Sequence, residues 1–177
     1  GGKGETFEGG IRVVSLMRWP GVLEPAQSFD QIMTVMDVFP TLAEATGVTP
    51  LNNFPFDGSS LWSSIKEGKI HERDELVMFA SEIPIYGSFK LTAFDEEWKL
   101  VQEMEQDQLS TTVTNYLFKI AEDPYEYNNL AGEYPEVVDD MSRAIMDWRA
   151  LYPVSGTRSV LIPPRQAPRP LPLAQRQ

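Results

Sequence analysis

The opening stretch, Gly1-Gly2-Lys3-Gly4-Glu5-Thr6-Phe7-Glu8-Gly9-Gly10-Ile11-Arg12-Val13, constrains this chain more than any other. Five of its first ten residues are glycine, and they surround one lysine, two glutamates and one aromatic. Glycine tolerates positive φ and lets another backbone or a ligand approach closely. A lysine in such a loop is a compact point charge on a flexible stem, suited to an anionic group such as a sulfate or phosphate. Composition alone reads the segment as a solvated turn before a strand. It is not a P-loop, because the GxxxxGK[ST] spacing is missing.

The rest of the 177 residues must build a core around that loop, and 42% hydrophobic and 11% aromatic content is enough to do so. A formal charge of -11 argues against nonspecific nucleic-acid binding, which needs a basic face to displace counterions. No apolar run approaches the length of a membrane span. With no cysteine, this segment forms no disulfide.

Residues 11 to 19 are rich in Val, Ile, Leu, Met and Trp and are bounded by Gly10 and Pro20-Gly21, which predicts a buried strand ended by a Pro-Gly turn. Arg12 and Arg18 inside that strand then need ion-pair partners. A helix is expected over 37–46, with Asp37 as N-cap, Pro40 in the first turn, Val38, Leu42 and Ala45 at helical spacing, and Gly47 as the stop. Asp37 is read as a cap and not as a metal ligand. An irregular linker follows, then a short helix from Ser59 to Lys66 ended by Gly68.

From residue 76 the pattern changes to strands at 76–80, 89–94, 98–101 and 116–120, with a short Asp95-Glu96-Glu97 hairpin turn. The acidic, glutamine-rich stretch 102 to 112 reads as a surface loop. Four strands with short connections predict an antiparallel meander with one covered face. Its cover is a helix over 135–152, whose Val137, Val138, Met141, Ile145, Trp148 and Tyr152 form a core-facing stripe. His71 is the single histidine, and its charged neighbours mark a solvated connector. The polar run Glu122 to Asn129 is a turn, and its paired acids are scaffold rather than an acid/base set. Residues 153 to 177 carry six prolines, four arginines and no acid, the composition of an extended strap or tail. A proline-rich ligand for a partner domain is a further reading of that tail.

The run GGKGETFEGGIRVVSLMRWPG resembles the segment of formylglycine-dependent sulfatases written GxKGxxxEGGxRVPxxxxWPG. Three further stretches resemble the same family in the same order. They are Met36 to Leu42 with Gly47, then Asp57-Gly58-Ser59-Ser60-Leu61, then Leu117-Phe118 with Asp123-Pro124 and Asn129-Leu130. One departure stands out: the family's proline in RVP is Val14 here.

The resemblance implies an alkaline-phosphatase-like α/β fold. Residues 1–50 are then the end of the large catalytic sheet domain, 51–75 a linker with a short helix, 76–152 a C-terminal antiparallel subdomain with its packing helix, and 153–177 the Pro/Arg-rich tail. It also implies sulfate-ester hydrolysis by a formylglycine nucleophile with a calcium ion. The Cys/Ser-x-Pro-x-Arg motif that yields formylglycine is not in this sequence. The chain is therefore expected to be the C-terminal part of a sulfatase, inactive alone, with calcium ligands and formylglycine upstream. No catalytic or metal-binding residue is assigned within it. Lys3 maps onto the family lysine that contacts the substrate sulfate, while Glu8, Gly9 and Gly10 hold the loop's shape. The expected substrate is a sulfated small molecule or glycan. Two alternatives are a phosphonate or phosphate-ester hydrolase of the same superfamily, and a non-catalytic meander-and-helix interaction module.

Overall fold

The computed structural model describes residues 2–50, 55–70, 73, 75–83, 88–106 and 110–151. Its elements are α1 (Glu8–Ile11), α2 (Val35–Thr46), α3 (Trp62–Glu67), β1 (Val77–Ile83), β2 (Ser88–Phe94), β3 (Trp98–Gln106), β4 (Thr111–Lys119) and α4 (Pro135–Arg149). The described residues of 2–13 and 73–151 form one compact unit, and those of 14–70 form a second. Among the described residues no helix is long and apolar enough to cross a membrane. His71, Tyr152 and the segment 153–177 lie outside the described residues.

In the first unit the four strands hydrogen-bond in sequence order, each antiparallel to the next. The β2–β3 turn is closed by Asp95, whose Oδ1 accepts the N–H groups of Glu97 at 2.8 Å and Trp98 at 2.7 Å. Strand side chains alternate between faces, so two sets of residues separate. Phe89, Leu91, Ala93, Leu100, Met104 and Leu117 point to α4, where they meet Val138, Met141 and Ile145. Each large side chain sealed there contributes on the order of 1.5–3 kcal/mol. Pro135 opens α4, where a missing N–H costs nothing.

Stretch 102 to 112, expected as a surface loop, is largely strand. Its acids hid a period-two pattern: Gln102 and Met104 are buried while Glu103 and Glu105 are not. The buried Gln102 amide nitrogen is satisfied, with Nε2 donating to Asn115 Oδ1 at 2.8 Å and Ser142 Oγ at 3.0 Å, while its Oε1 accepts no hydrogen bond among the described residues. A polar residue thus fits an inward position because two facing oxygens receive its protons.

The meander also has two covered faces instead of one. Lys90, Thr92, Lys99, Val101, Tyr116 and Phe118 occupy the face opposite α4, and the opening segment lies across it. Phe7 packs edge-on against Tyr116 and Phe118, with ring centroids 5.5 and 6.2 Å away.

The predicted strand over 11–19 does not form. Ile11 closes α1, and residues 12–19 have no regular secondary structure and no ladder partner among the described residues. Val13, Val14 and Leu16 are exposed, Leu16 by 92%. Apolar, strand-forming residues cannot make a strand where no neighbouring backbone offers hydrogen bonds. Arg12, expected inside that strand, is exposed and pairs with Glu8 at 3.5 Å.

In the second unit, α2 begins two residues earlier than predicted. Thr34 is the N-cap, and Asp37 sits in the first turn. The Asp37 carboxylate accepts the Thr34 N–H at 2.7 Å and the Ser59 N–H at 2.9 Å, and the Thr41 hydroxyl accepts the Leu61 N–H at 2.9 Å. Two motifs distant in sequence, Met36 to Leu42 and Asp57 to Leu61, are thereby joined. Gly58 approaches so closely that a Cβ there would sit 2.3 Å from the Met36 carbonyl. Helix α3 starts at Trp62 and not at Ser59, because residues 59–61 serve this clamp. The expected core face of α2 is inverted. Val35, Val38, Phe39 and Leu42 are exposed, while Asp37, Pro40 and Thr41 are buried.

Candidate functional site

Lys3 stands at the tip of a tight turn. The Glu5 N–H donates to the Gly2 carbonyl at 2.9 Å, so Gly2 to Glu5 form a four-residue turn with Lys3 and Gly4 at its centre. Gly4 has φ +90°, a conformation costly for any residue with a Cβ, and this is the pattern of a turn with glycine at its third position. Lys3 is exposed, and it makes no hydrogen bond or ion pair to another of the described residues.

Three contacts fasten this turn to the sheet. Glu5 pairs with Lys90, which also stands 3.2 Å from Glu103. The hydrogen bond that Lys90 donates to the Glu5 carboxylate outweighs partial burial and raises the Lys90 pKa above 10.5. Phe7 fills the aromatic notch of Tyr116 and Phe118. Glu8 enters a buried ion cluster: its Oε1 lies 2.7 Å from the Lys99 ammonium, and its backbone N–H donates to Glu126 Oε2 at 2.8 Å. The Lys99 ammonium is also 2.8 Å from Glu126 Oε1, close enough for an ion pair though off the direction of a hydrogen bond.

Gly10 folds back on the turn. A Cβ on it would lie 2.3 Å from the Glu5 carbonyl oxygen and 2.7 Å from that of Gly2. Glu8 and Gly10, expected to hold the loop's shape, therefore have distinct means of doing so, an ion pair and a steric fit. Sequence reasoning passed over Lys99 and Glu126. The available signal was a lysine between Trp98 and Leu100-Val101, a charge in an apolar strand that needs a partner.

The run Glu122 to Asn129 is a built turn. Asp123 Oδ2 accepts the Asn128 N–H at 2.8 Å, and that bond leads the causes holding the Asp123 carboxyl below 3.8. Asn129 Oδ1 accepts the N–H groups of Leu117 and Ala131, each at 3.0 Å. Glu126 adopts φ +58°, which aims its carboxylate at Glu8 and Lys99 while Tyr125 and Tyr127 beside it stay exposed. Among the described residues no three His, Asp or Glu side chains converge on a point that would hold a metal ion.

No family model matches the chain. It is 48% identical to the steryl-sulfatase of Rattus norvegicus over 61 residues, 34% of this chain and 11% of that protein. It is 36% identical to the human N-acetylgalactosamine-6-sulfatase over 72 residues, 41% of this chain and 14% of that protein. A longer match covers 84% of this chain and 31% of YdeN, named as a sulfatase of Escherichia coli, at 24% identity. The chain thus spans well under half the length of the relatives it matches. Among solved structures, Ps i-CgsB aligns over 73% of this chain and 27% of its own, with a TM-score of 0.59 at 21% identity. It has also been solved with a neocarrahexaose. The protein yidJ of Bacteroides fragilis, named in its structure as a sulfatase, aligns over the same shares with a TM-score of 0.53 at 19% identity. These likenesses show a shared fold.

Proposed function

We propose that this chain, a relative of the sulfatases in sequence and in fold, is the C-terminal part of an enzyme that hydrolyses sulfate esters, and that Lys3 binds the sulfate. The observation that carries the assignment is the contrast between Lys3 and the two lysines on the sheet face opposite α4. Lys90 and Lys99 are neutralised by two carboxylates each, whereas Lys3 is held on a fixed turn with its charge uncommitted. A cation presented on a pre-shaped loop stabilises a bound oxyanion without reorganising at the moment of reaction. Calcium and formylglycine chemistry, where present, belongs to residues outside this sequence.

Residues 1–50 are read as the end of a larger sheet domain. The unpaired apolar stretch 12–19 and the outward stripe Val35, Val38, Phe39, Leu42 support that reading, because both need a covering surface. The named relatives act on a steroid sulfate or an amino-sugar sulfate by their names, and a sulfated small molecule or glycan is the substrate class proposed for this chain. The phosphonate or phosphate-ester reading has no observation in its favour here.

The test is Lys3→Ala in the full-length enzyme, assayed on a chromogenic aryl sulfate. Losing a charged hydrogen bond to the anion is expected to raise KM or lower kcat/KM by about 10- to 100-fold. Unchanged kinetics in a folded variant would remove Lys3 from the site.

A further inference from the structure

We propose that Lys99 is a positioning residue for the Lys3 turn, acting from the interior through Glu8 and Glu126; the proposal rests on the sulfate-binding reading of Lys3. Lys99 is fully buried, with Glu8 and Glu126 side chains 16% and 5% exposed. A charged group in such a place is expensive, and apolar residues of similar size often serve stability as well or better. The cluster does something that apolar packing would not. Its ammonium fixes the Glu8 carboxylate, its second carboxylate fixes the Glu8 backbone N–H, and both therefore set the same residue in position and orientation.

Glu8 lies five residues from Lys3 and two from Gly10, the glycine that closes on the Gly2–Glu5 turn. Every link from the sheet to Lys3 is thus a short bond or a close contact. Glu126 carries the local cost: a non-glycine residue at φ +58° persists when its surroundings over-determine it, and here its carboxylate serves two groups at once. Phe94 adds a weaker hold, its ring centroid 5.8 Å from the same ammonium. The sheet face opposite α4 is accordingly a mounting for the anion-binding turn.

The experiment is a double-mutant cycle in the full-length enzyme, read as the inhibition constant of inorganic sulfate and as kcat and KM on an aryl sulfate. Lys3→Ala is expected to weaken sulfate by about 10- to 100-fold, and Lys99→Met by roughly 10-fold. If Lys99 acts through Lys3, the double variant binds sulfate no more weakly than Lys3→Ala alone. Losses that multiply, or a folded Lys99→Met with unchanged sulfate affinity, overturn the proposal. Should Lys99→Met fail to fold, Glu126→Gln takes its place in the same cycle. Its amide oxygen still accepts the Glu8 N–H, so the fold survives while the ammonium loses one charge partner; a loss of sulfate affinity that disappears in the Lys3→Ala background is expected, and additive or absent loss refutes the proposal. Lys3→Ala without effect sinks the sulfate reading itself, whereas a damaging Lys3→Ala with an independent Lys99 sinks the mounting alone.

Discussion

Gly10→Ala is the sharpest single perturbation of this loop. The new methyl carbon would lie 2.3 Å from the Glu5 carbonyl oxygen, 2.9 Å from its carbon and 2.7 Å from the Gly2 carbonyl oxygen. The shortest of these is about 1 Å inside van der Waals contact. All three atoms are backbone, so no side chain can swing aside. The turn must move as a body, or the short helix α1 must tilt away and drag Glu8 from Lys99. Forced overpacking of this kind costs about 1–3 kcal/mol. The functional loss should exceed the stability loss, because a displacement near 1 Å at a binding group can cost on the order of 100-fold in rate.

Two measurements on the full-length enzyme separate those outcomes: the thermal midpoint, and kcat/KM on an aryl sulfate. Gly2→Ala is the control. A Cβ there meets nothing within 4 Å, so it should stay within about 0.5 kcal/mol of wild type with little change in rate. If Gly10→Ala retains both midpoint and kcat/KM, the close fold-back of Gly10 is not what shapes the Lys3 turn.

Other expectations can be checked with the same protein. The Lys90 pKa is raised above 10.5, so its pairing with Glu5 and Glu103 stabilises fully below that value and is lost as pH climbs through the folded-state pKa. The gap in thermal midpoint between wild type and Lys90→Met should therefore be constant near neutrality and narrow above about pH 10.5; a gap that persists unchanged would contradict the assignment. Asp37→Ala strips the partner from two backbone N–H groups and the Thr34 hydroxyl, and should destabilise by roughly 2–4 kcal/mol in denaturant unfolding, whereas a loss under about 0.5 kcal/mol would deny the clamp. The 177-residue segment purified alone should show no turnover of a chromogenic aryl sulfate, and turnover would refute its assignment as a part without a nucleophile.

How much of this was legible in the sequence depended on whether a residue's partner lay within the same pattern. Helix α4 was readable because its buried stripe, Val138, Met141 and Ile145, repeats at helical spacing and meets strands whose alternation is equally plain. The β2–β3 turn was readable because Asp95 caps its own hairpin. The start of α2 was missed by two residues, since Asp37 and Thr34 bond reciprocally and either residue type suits a cap. Its facing was missed because apolar spacing says only that a stripe exists, and what buries Asp37 and Thr41 is a segment some twenty residues on.

The candidate site follows the same logic at longer range. Lys3 could be singled out from its glycines, but nothing adjacent to it announces that its turn is held by Lys90, Lys99 and Glu126, residues 85 or more positions away. Those side chains look ordinary in one dimension: a strand lysine, a second strand lysine, an acid in a turn. They become a site only where the second face of the meander meets the opening segment. Charge balance could have pointed there, because two buried-strand lysines in an acidic chain require carboxylates, and the nearest uncommitted ones in the Gly-rich loop are Glu5 and Glu8. The glutamates of that loop therefore face the protein, and the lysine faces away from it. That division of sign, anions inward to fasten and the cation outward, is the physical reason one short loop is an anchor and would also serve as the oxyanion receptor proposed above.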